Sequence, residues 1–92
     1  MRFEWDEKKS EKNLKKHGVR FSEAVRVFDD PNAFEFIDEE HSTGTETRYG
    51  IIGLAAPRLL LVIFTEPEPG VIRIIHARRA ERWMVRKYER KE

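Results

Sequence analysis

The chain has 92 residues, 39% of them apolar and 38% charged, with a mean hydropathy of −0.69. That length predicts one domain spanning residues 1–92, with a small core beneath an ion-rich surface. The absence of cysteine excludes a disulfide scaffold, a thiolate zinc site and a cysteine nucleophile. The longest apolar run, Leu59–Phe64, is far too short to span a bilayer, and the acidic start Met1-Arg-Phe-Glu-Trp-Asp is unlike a signal peptide, so a cytoplasmic protein is expected.

The formal net charge of +1 conceals three blocks. Residues 1–26 carry +3, residues 27–70 carry −7 and residues 71–92 carry +5, with seven basic groups packed into the fourteen positions from Arg78 to Lys91. Such blocks mark either a polyanion or charged protein partner, or a solvated helix face. A strongly dipolar surface with one basic face is expected.

In chain order, Phe3 and Trp5 alternate with Glu4 as in an edge strand. Asp6 stands as N-cap of a helix over Glu7–His17, with Leu14 its main buried candidate and Gly18 its stop. Ser22 is placed to cap a second helix whose stripe is Phe21, Ala24, Val25 and Phe28. Asp29-Asp30-Pro31-Asn32 ends it. A strand over Ala33–Ile37 follows, then an acidic loop over Asp38–Glu46.

Three strands are predicted over Thr47–Leu54, Arg58–Glu66 and Val71–Arg79, joined by short links that favour antiparallel hairpins. The middle one is apolar on both faces, as a central strand must be. Strict alternation in the last puts Ile72, Ile74, His76 and Arg78 on one face and Val71, Arg73, Ile75 and Ala77 on the other. A helix from about Ala80 to Arg90 closes the chain, with Ala80, Trp83, Met84, Lys87 and Tyr88 on one face. The fold class is therefore α+β: a mainly antiparallel sheet of four or five strands, two N-terminal helices and one C-terminal helix.

The richest chemistry lies at the C-terminal end. Arg73, Arg78, Arg79, Arg82 and Arg86 offer planar forks suited to phosphate. Trp83 and Tyr88 are placed to stack unpaired bases or to meet a protein partner, and His76, with an ordinary pKa near neutrality, is a candidate acid or base. The three histidines share no ligand spacing, and Asp38-Glu39-Glu40-His41 reads as a solvated loop, so neither metal nor cofactor is expected. No phosphate-binding glycine loop and no nucleophile elbow is present. The surviving enzymatic option is acid–base and electrostatic cleavage of RNA, whose 2′-hydroxyl is its own nucleophile.

Several segments together resemble the BrnT family of bacterial toxins: Phe3-Glu-Trp-Asp6, Asn13 with Lys16-His-Gly-Val19, Phe21-Ser-Glu-Ala24, Val27-Phe-Asp-Asp-Pro31, Arg73-Ile-Ile-His-Ala-Arg-Arg-Ala80 and Tyr88-Glu89. The resemblance implies a RelE-like ribonuclease fold and a type II toxin–antitoxin function. It also implies inhibition of translation by RNA cleavage and neutralisation by a BrnA-type ribbon-helix-helix antitoxin. The complex would then reach operator DNA through that antitoxin. Carried onto this chain, the resemblance makes Arg73, Arg78 and Arg79 the candidates for phosphate and transition-state charge, with Arg48, Lys8 and Lys12 as additions. Here histidine stands at position 76, where the family pattern has serine, and Met84 and Arg86 stand where it has glutamates. His76 or Glu81 is therefore the candidate for proton transfer. The alternatives are a non-catalytic RNA- or ribosome-binding module, or a protein-interaction subunit of a repressor complex.

Overall fold

The computed structural model describes residues 1–90. Lys91, the last residue of the basic run, lies outside them. Strand β1 (Arg2–Glu4) leads into α1 (Glu7–His17), then α2 (Phe21–Ala24), which tightens into a 3-10 turn over Val25–Asp29. Strands β2 (Phe34–Ile37), β3 (Tyr49–Ala55), β4 (Arg58–Glu68) and β5 (Val71–Arg79) follow, and α3 (Arg82–Arg90) closes the chain. Among the described residues no helix is long and apolar enough to cross a membrane.

The five strands form one sheet in the order β1-β5-β4-β3-β2, so the apolar run Leu59–Phe64 occupies its centre. All pairings are antiparallel except β1 with β5, which makes the sheet mixed. One face is buried under α2, the 3-10 turn and the residues leading to them: Val19, Phe21, Ala24 and Val27 pack on Ile51, Val62, Phe64, Ile72, Ile74 and Ala77. On the other face Met84 of α3 packs on Ile52 and Leu61, with Ala80 and Tyr88 alongside. Each fully buried valine, leucine, isoleucine, phenylalanine or methionine here contributes on the order of 1.5–3 kcal/mol.

Helix α1 begins and ends where its sequence signals stand. Asp6 accepts from the backbone N–H of Lys8 at 2.8 Å and of Lys9 at 3.2 Å. Gly18, at φ +74°, returns its N–H to the Leu14 carbonyl. The buried residues of this helix are Ser10 and Asn13, whereas Leu14 is only half-buried. The physical reason is that α1 meets backbone polar groups rather than an apolar face. Ser10 Oγ accepts from the Phe21 N–H at 3.0 Å and thereby caps α2, whereas Ser22 makes no side-chain cap bond.

In β5 the expected alternation breaks. Ile63 pairs with His76 but Phe64 pairs with Ile74, so Ile75 is an extra residue in a bulge. The bulge shifts the side-chain parity by one. Ala77 consequently joins Ile72 and Ile74 in the core, while His76 and Arg78 face the α3 side with Leu61 and Ile63.

Candidate functional site

The C-terminal half of β5, the β2–β3 loop and the start of α3 enclose a cleft of about 490 Å³. Leu61, Ile63, Ile75 and Met84 form its apolar lining; His76, Arg78 and Arg48 bring nitrogen donors, and Trp83 forms part of its rim. Arg78 pairs with Glu81 (Nη1 to Oε2, 3.0 Å), and Trp83 Nε1 donates to the other oxygen of the same carboxylate at 3.0 Å. One exposed glutamate thus orients both a guanidinium and an indole, leaving the other Arg78 N–H groups for an oxyanion.

His76 lies against His17 at the C-terminal end of α1, their ring centroids 4.7 Å apart in an edge-to-face contact. Burial, then the neighbouring His17, Arg78 and Lys16, lowers the His76 pKa from 6.5 to about 4. The side chain is therefore neutral at pH 7, with a free lone pair for accepting a proton. This corrects the expectation of titration near neutrality: at pH 7 the ring stands wholly in its proton-accepting form, with its proton affinity lowered by the same shift, and holds no imidazolium proton to give.

Asn13 fixes the strand beneath these groups. Its Nδ2 donates to the Ala77 carbonyl at 2.7 Å and to the Val19 carbonyl at 2.9 Å, while Oδ1 accepts from the Ala77 N–H at 3.2 Å. Strand β1 pairs with β5 only as far as Arg73, so beyond it the carboxamide takes the place of a neighbouring strand.

The acidic loop, with its 3-10 turn Glu39–His41, folds against the cleft instead of standing away from it. Its neck is closed by the Asp38 N–H on the Arg48 carbonyl at 2.8 Å and by the Arg48 N–H on Ser42 Oγ at 2.8 Å. Asp38, Glu40 and His41 line the cleft, with ligand-type atoms within 4.8 Å of one another and His41 Nδ1 2.8 Å from Asp38 Oδ2. Carboxylates of the −7 block thus meet arginines of the −7 and +5 blocks inside one concavity.

The arginines do not form the single basic face expected of them. Arg73 is turned to the β1 edge, where Glu4 holds it at 2.6 Å, and it does not line the cleft. Arg79 and Arg82 are exposed outside it, as are Lys8 and Lys12 on α1. Arg86 lines a second groove, beside α3. Strand alternation and the α3 turn send neighbouring arginines in different directions, which charge counting along the chain cannot register.

Of the two aromatic candidates, Trp83 is 50% exposed and available for stacking. Tyr88 is not: its hydroxyl donates to Asp30 Oδ2 at 2.5 Å and its ring packs beside Ile52, Leu61 and Met84. Asp30 also accepts from the Leu54 N–H at 2.8 Å, so Tyr88 ties α3 to β3. His17, Asn13 and His41 escaped the sequence reading as site residues. For the first two the signal was at hand, since both stand in the segment Asn13–Val19 that carries part of the family resemblance.

The mixed sheet with helices on both faces, and a cleft that brings arginines beside a neutral histidine, define a small α+β domain of the ribonuclease-toxin type. Residues 5–83 match the family described as the ribonuclease toxin, BrnT, of type II toxin–antitoxin systems, and the chain belongs to that family. It is also similar to the Brucella abortus ribonuclease toxin BrnT, solved at 1.1 Å, with 26% identity and a TM-score of 0.68 over 89% of this chain and 99% of that one. No curated protein sequence matches the chain.

Proposed function

We infer that the chain is an endoribonuclease whose cleavage step needs no metal ion. The observation that carries this reading is the convergence of neutral His76 with Arg78 and Arg48 in one cleft. His76 removes the proton from a ribose 2′-hydroxyl, and the 2′-oxygen attacks the adjacent phosphorus. The bond from phosphorus to the 5′-oxygen breaks, leaving a 2′,3′-cyclic phosphate on one fragment and a 5′-hydroxyl on the other, protonated by solvent. Arg78, with Arg48 nearby, carries the charge that builds on the phosphoryl oxygens. Glu81 serves as a positioning residue, because its two oxygens already hold Arg78 and Trp83.

In this reading the toxin acts in the cytoplasm, and its RNA cleavage arrests translation. A BrnA-type ribbon-helix-helix antitoxin neutralises it and links the complex to operator DNA. Family membership supports an antitoxin and an RNA substrate in general.

The test is incubation of purified protein with RNA in excess EDTA, with identification of the new termini. Cyclic phosphate ends that disappear with Arg78→Ala, and a DNA strand of the same sequence left whole, are expected. RNA that stays intact over a thousandfold range of protein yet binds in a salt-sensitive way overturns catalysis in favour of a binding module. A short neighbouring reading frame whose product co-purifies with the chain and binds DNA tests the antitoxin assignment.

A further inference from the structure

A second concavity, of about 850 Å³, runs beside α3 between that helix and the Pro31–Phe34 turn. Arg86, Lys87 and Arg90 line it, and among the described residues no carboxylate does. Among the described residues none of these three cations has an acidic partner within 4.0 Å. The cleft differs in this respect, since Asp38 and Glu40 offset its arginines. Phe34 forms part of the groove wall, with the Lys87 ammonium 5.9 Å from its ring centroid. Trp83 lines both concavities, so its half-exposed indole is the wall between them.

We propose that this groove is the track for single-stranded RNA flanking the phosphate held at Arg78, with Trp83 stacking a base where the strand passes from cleft to groove. The proposal rests on the ribonuclease reading for what occupies the cleft. A strand engaged at one phosphate continues on at least one side of it, and its neighbouring phosphates need cations next to the reaction site. The α3 groove adjoins that site and supplies three cations beside two aromatic rings, the combination that binds unpaired nucleic acid without reading its sequence. An acidic peptide would also suit the charge. It has no requirement to begin at the cleft and gains little from a flat indole there, so the observations favour RNA.

The experiment measures affinity by fluorescence polarisation, using labelled 2′-O-methyl oligonucleotides of mixed sequence, which lack the nucleophile and cannot be cleaved this way. Wild-type protein is expected to bind a chain of about twelve nucleotides at least tenfold more tightly than one of three. In the double variant Arg86→Gln/Arg90→Gln that advantage collapses, and the salt dependence of binding falls by roughly 1.4 in logarithmic slope, as expected for two lost phosphate contacts on a single strand. Trp83→Leu loses part of the same advantage and Trp83→Phe retains most of it. Because both substituted arginines are solvent-facing, circular dichroism of the double variant matches wild type.

An unchanged length advantage in the double variant overturns the track, as does competition at the groove by a polyglutamate peptide with oligonucleotide binding indifferent to Arg86 and Arg90. Length-dependent binding that needs these arginines, in a protein that cleaves no RNA, sinks the nuclease reading and leaves the track standing. Cleavage without such dependence does the reverse.

Discussion

Asn13 meets Ala77 through both atoms of its carboxamide, 64 residues apart in the chain, as one strand meets the next. The backbone carrying His76 and Arg78 is thereby held at a sheet margin that β1 is too short to cover. Asn13→Leu leaves the Ala77 N–H, the Ala77 carbonyl and the Val19 carbonyl without this partner. Leaving buried groups unpaired costs about 1–3 kcal/mol each, so a loss of roughly 3 kcal/mol and a fall in Tm of more than 10 °C are expected. Thermal unfolding followed by circular dichroism measures it, and a Tm within 3 °C of wild type contradicts the role given to Asn13.

Arg78→Lys retains a charge but loses the planar fork. Cleavage is expected to fall about a hundredfold or more while the urea midpoint stays close to wild type, because the Arg78–Glu81 pair is partly exposed and contributes little to stability. Glu81→Gln releases Arg78 from its ion pair and should raise KM more than it lowers kcat. Steady-state kinetics on both variants separate orientation from charge.

The depressed His76 pKa has a definite sign in activity. Base catalysis needs the neutral ring, so kcat/KM should rise with unit slope as pH increases through about 4 and be flat by pH 6, well before an ordinary histidine would finish titrating. Because His17 is one of the groups lowering the value, His17→Phe should move that midpoint upward while keeping the ring contact. A wild-type midpoint near 6.5 contradicts the depressed pKa of His76, and a pH profile unchanged by His76→Gln contradicts its role as the base.

Linkage gives the same residue a stability signature. Its folded pKa, about 4, lies below the unfolded value of 6.5, so folding favours the neutral form. The associated stability is present above pH 6.5 and is lost as pH falls from there towards 4. At pH 5 the loss relative to pH 7.5, reduced by solvent screening of this half-buried ring, is on the order of 1 kcal/mol. Urea unfolding of wild type against His76→Gln at the two pH values checks this, the wild type declining more steeply.

Tyr88→Phe removes the hydroxyl that donates to Asp30. The tyrosine pKa is pushed up to about 12, chiefly by that hydrogen bond, so the phenol stays protonated and donating throughout the physiological range. Loss of this charge-assisted bond should cost about 1–2 kcal/mol and loosen α3 first. Hydrogen exchange is the readout: faster exchange confined to Arg82–Arg90 and the neighbouring part of β3 is expected.

The order and type of the elements were legible in the sequence because each rests on local chemistry. Asp6 and Gly18 mark the two ends of α1, the two-faced apolar run Leu59–Phe64 marks a central strand, and the short links at Ala55–Pro57 and Pro67–Gly70 make hairpins of β3, β4 and β5. The family was legible too, since its short segments recur in order along almost the whole chain.

Tertiary structure alone decided which of those residues meet. One bulged residue, Ile75, sends His76 and Arg78 to the face opposite Ile72 and Ile74, which strict alternation would have made their own, a choice set by the register with β4. Asn13 and His17 reach the site through the packing of α1 on β5, across more than fifty residues of chain. The charge blocks follow the same rule: their totals are a property of sequence. Whether arginines gather on one face, or divide between an acid-balanced cleft and a cation-lined groove, depends on strand parity and helix phase, which carry side chains adjacent in sequence to different surfaces.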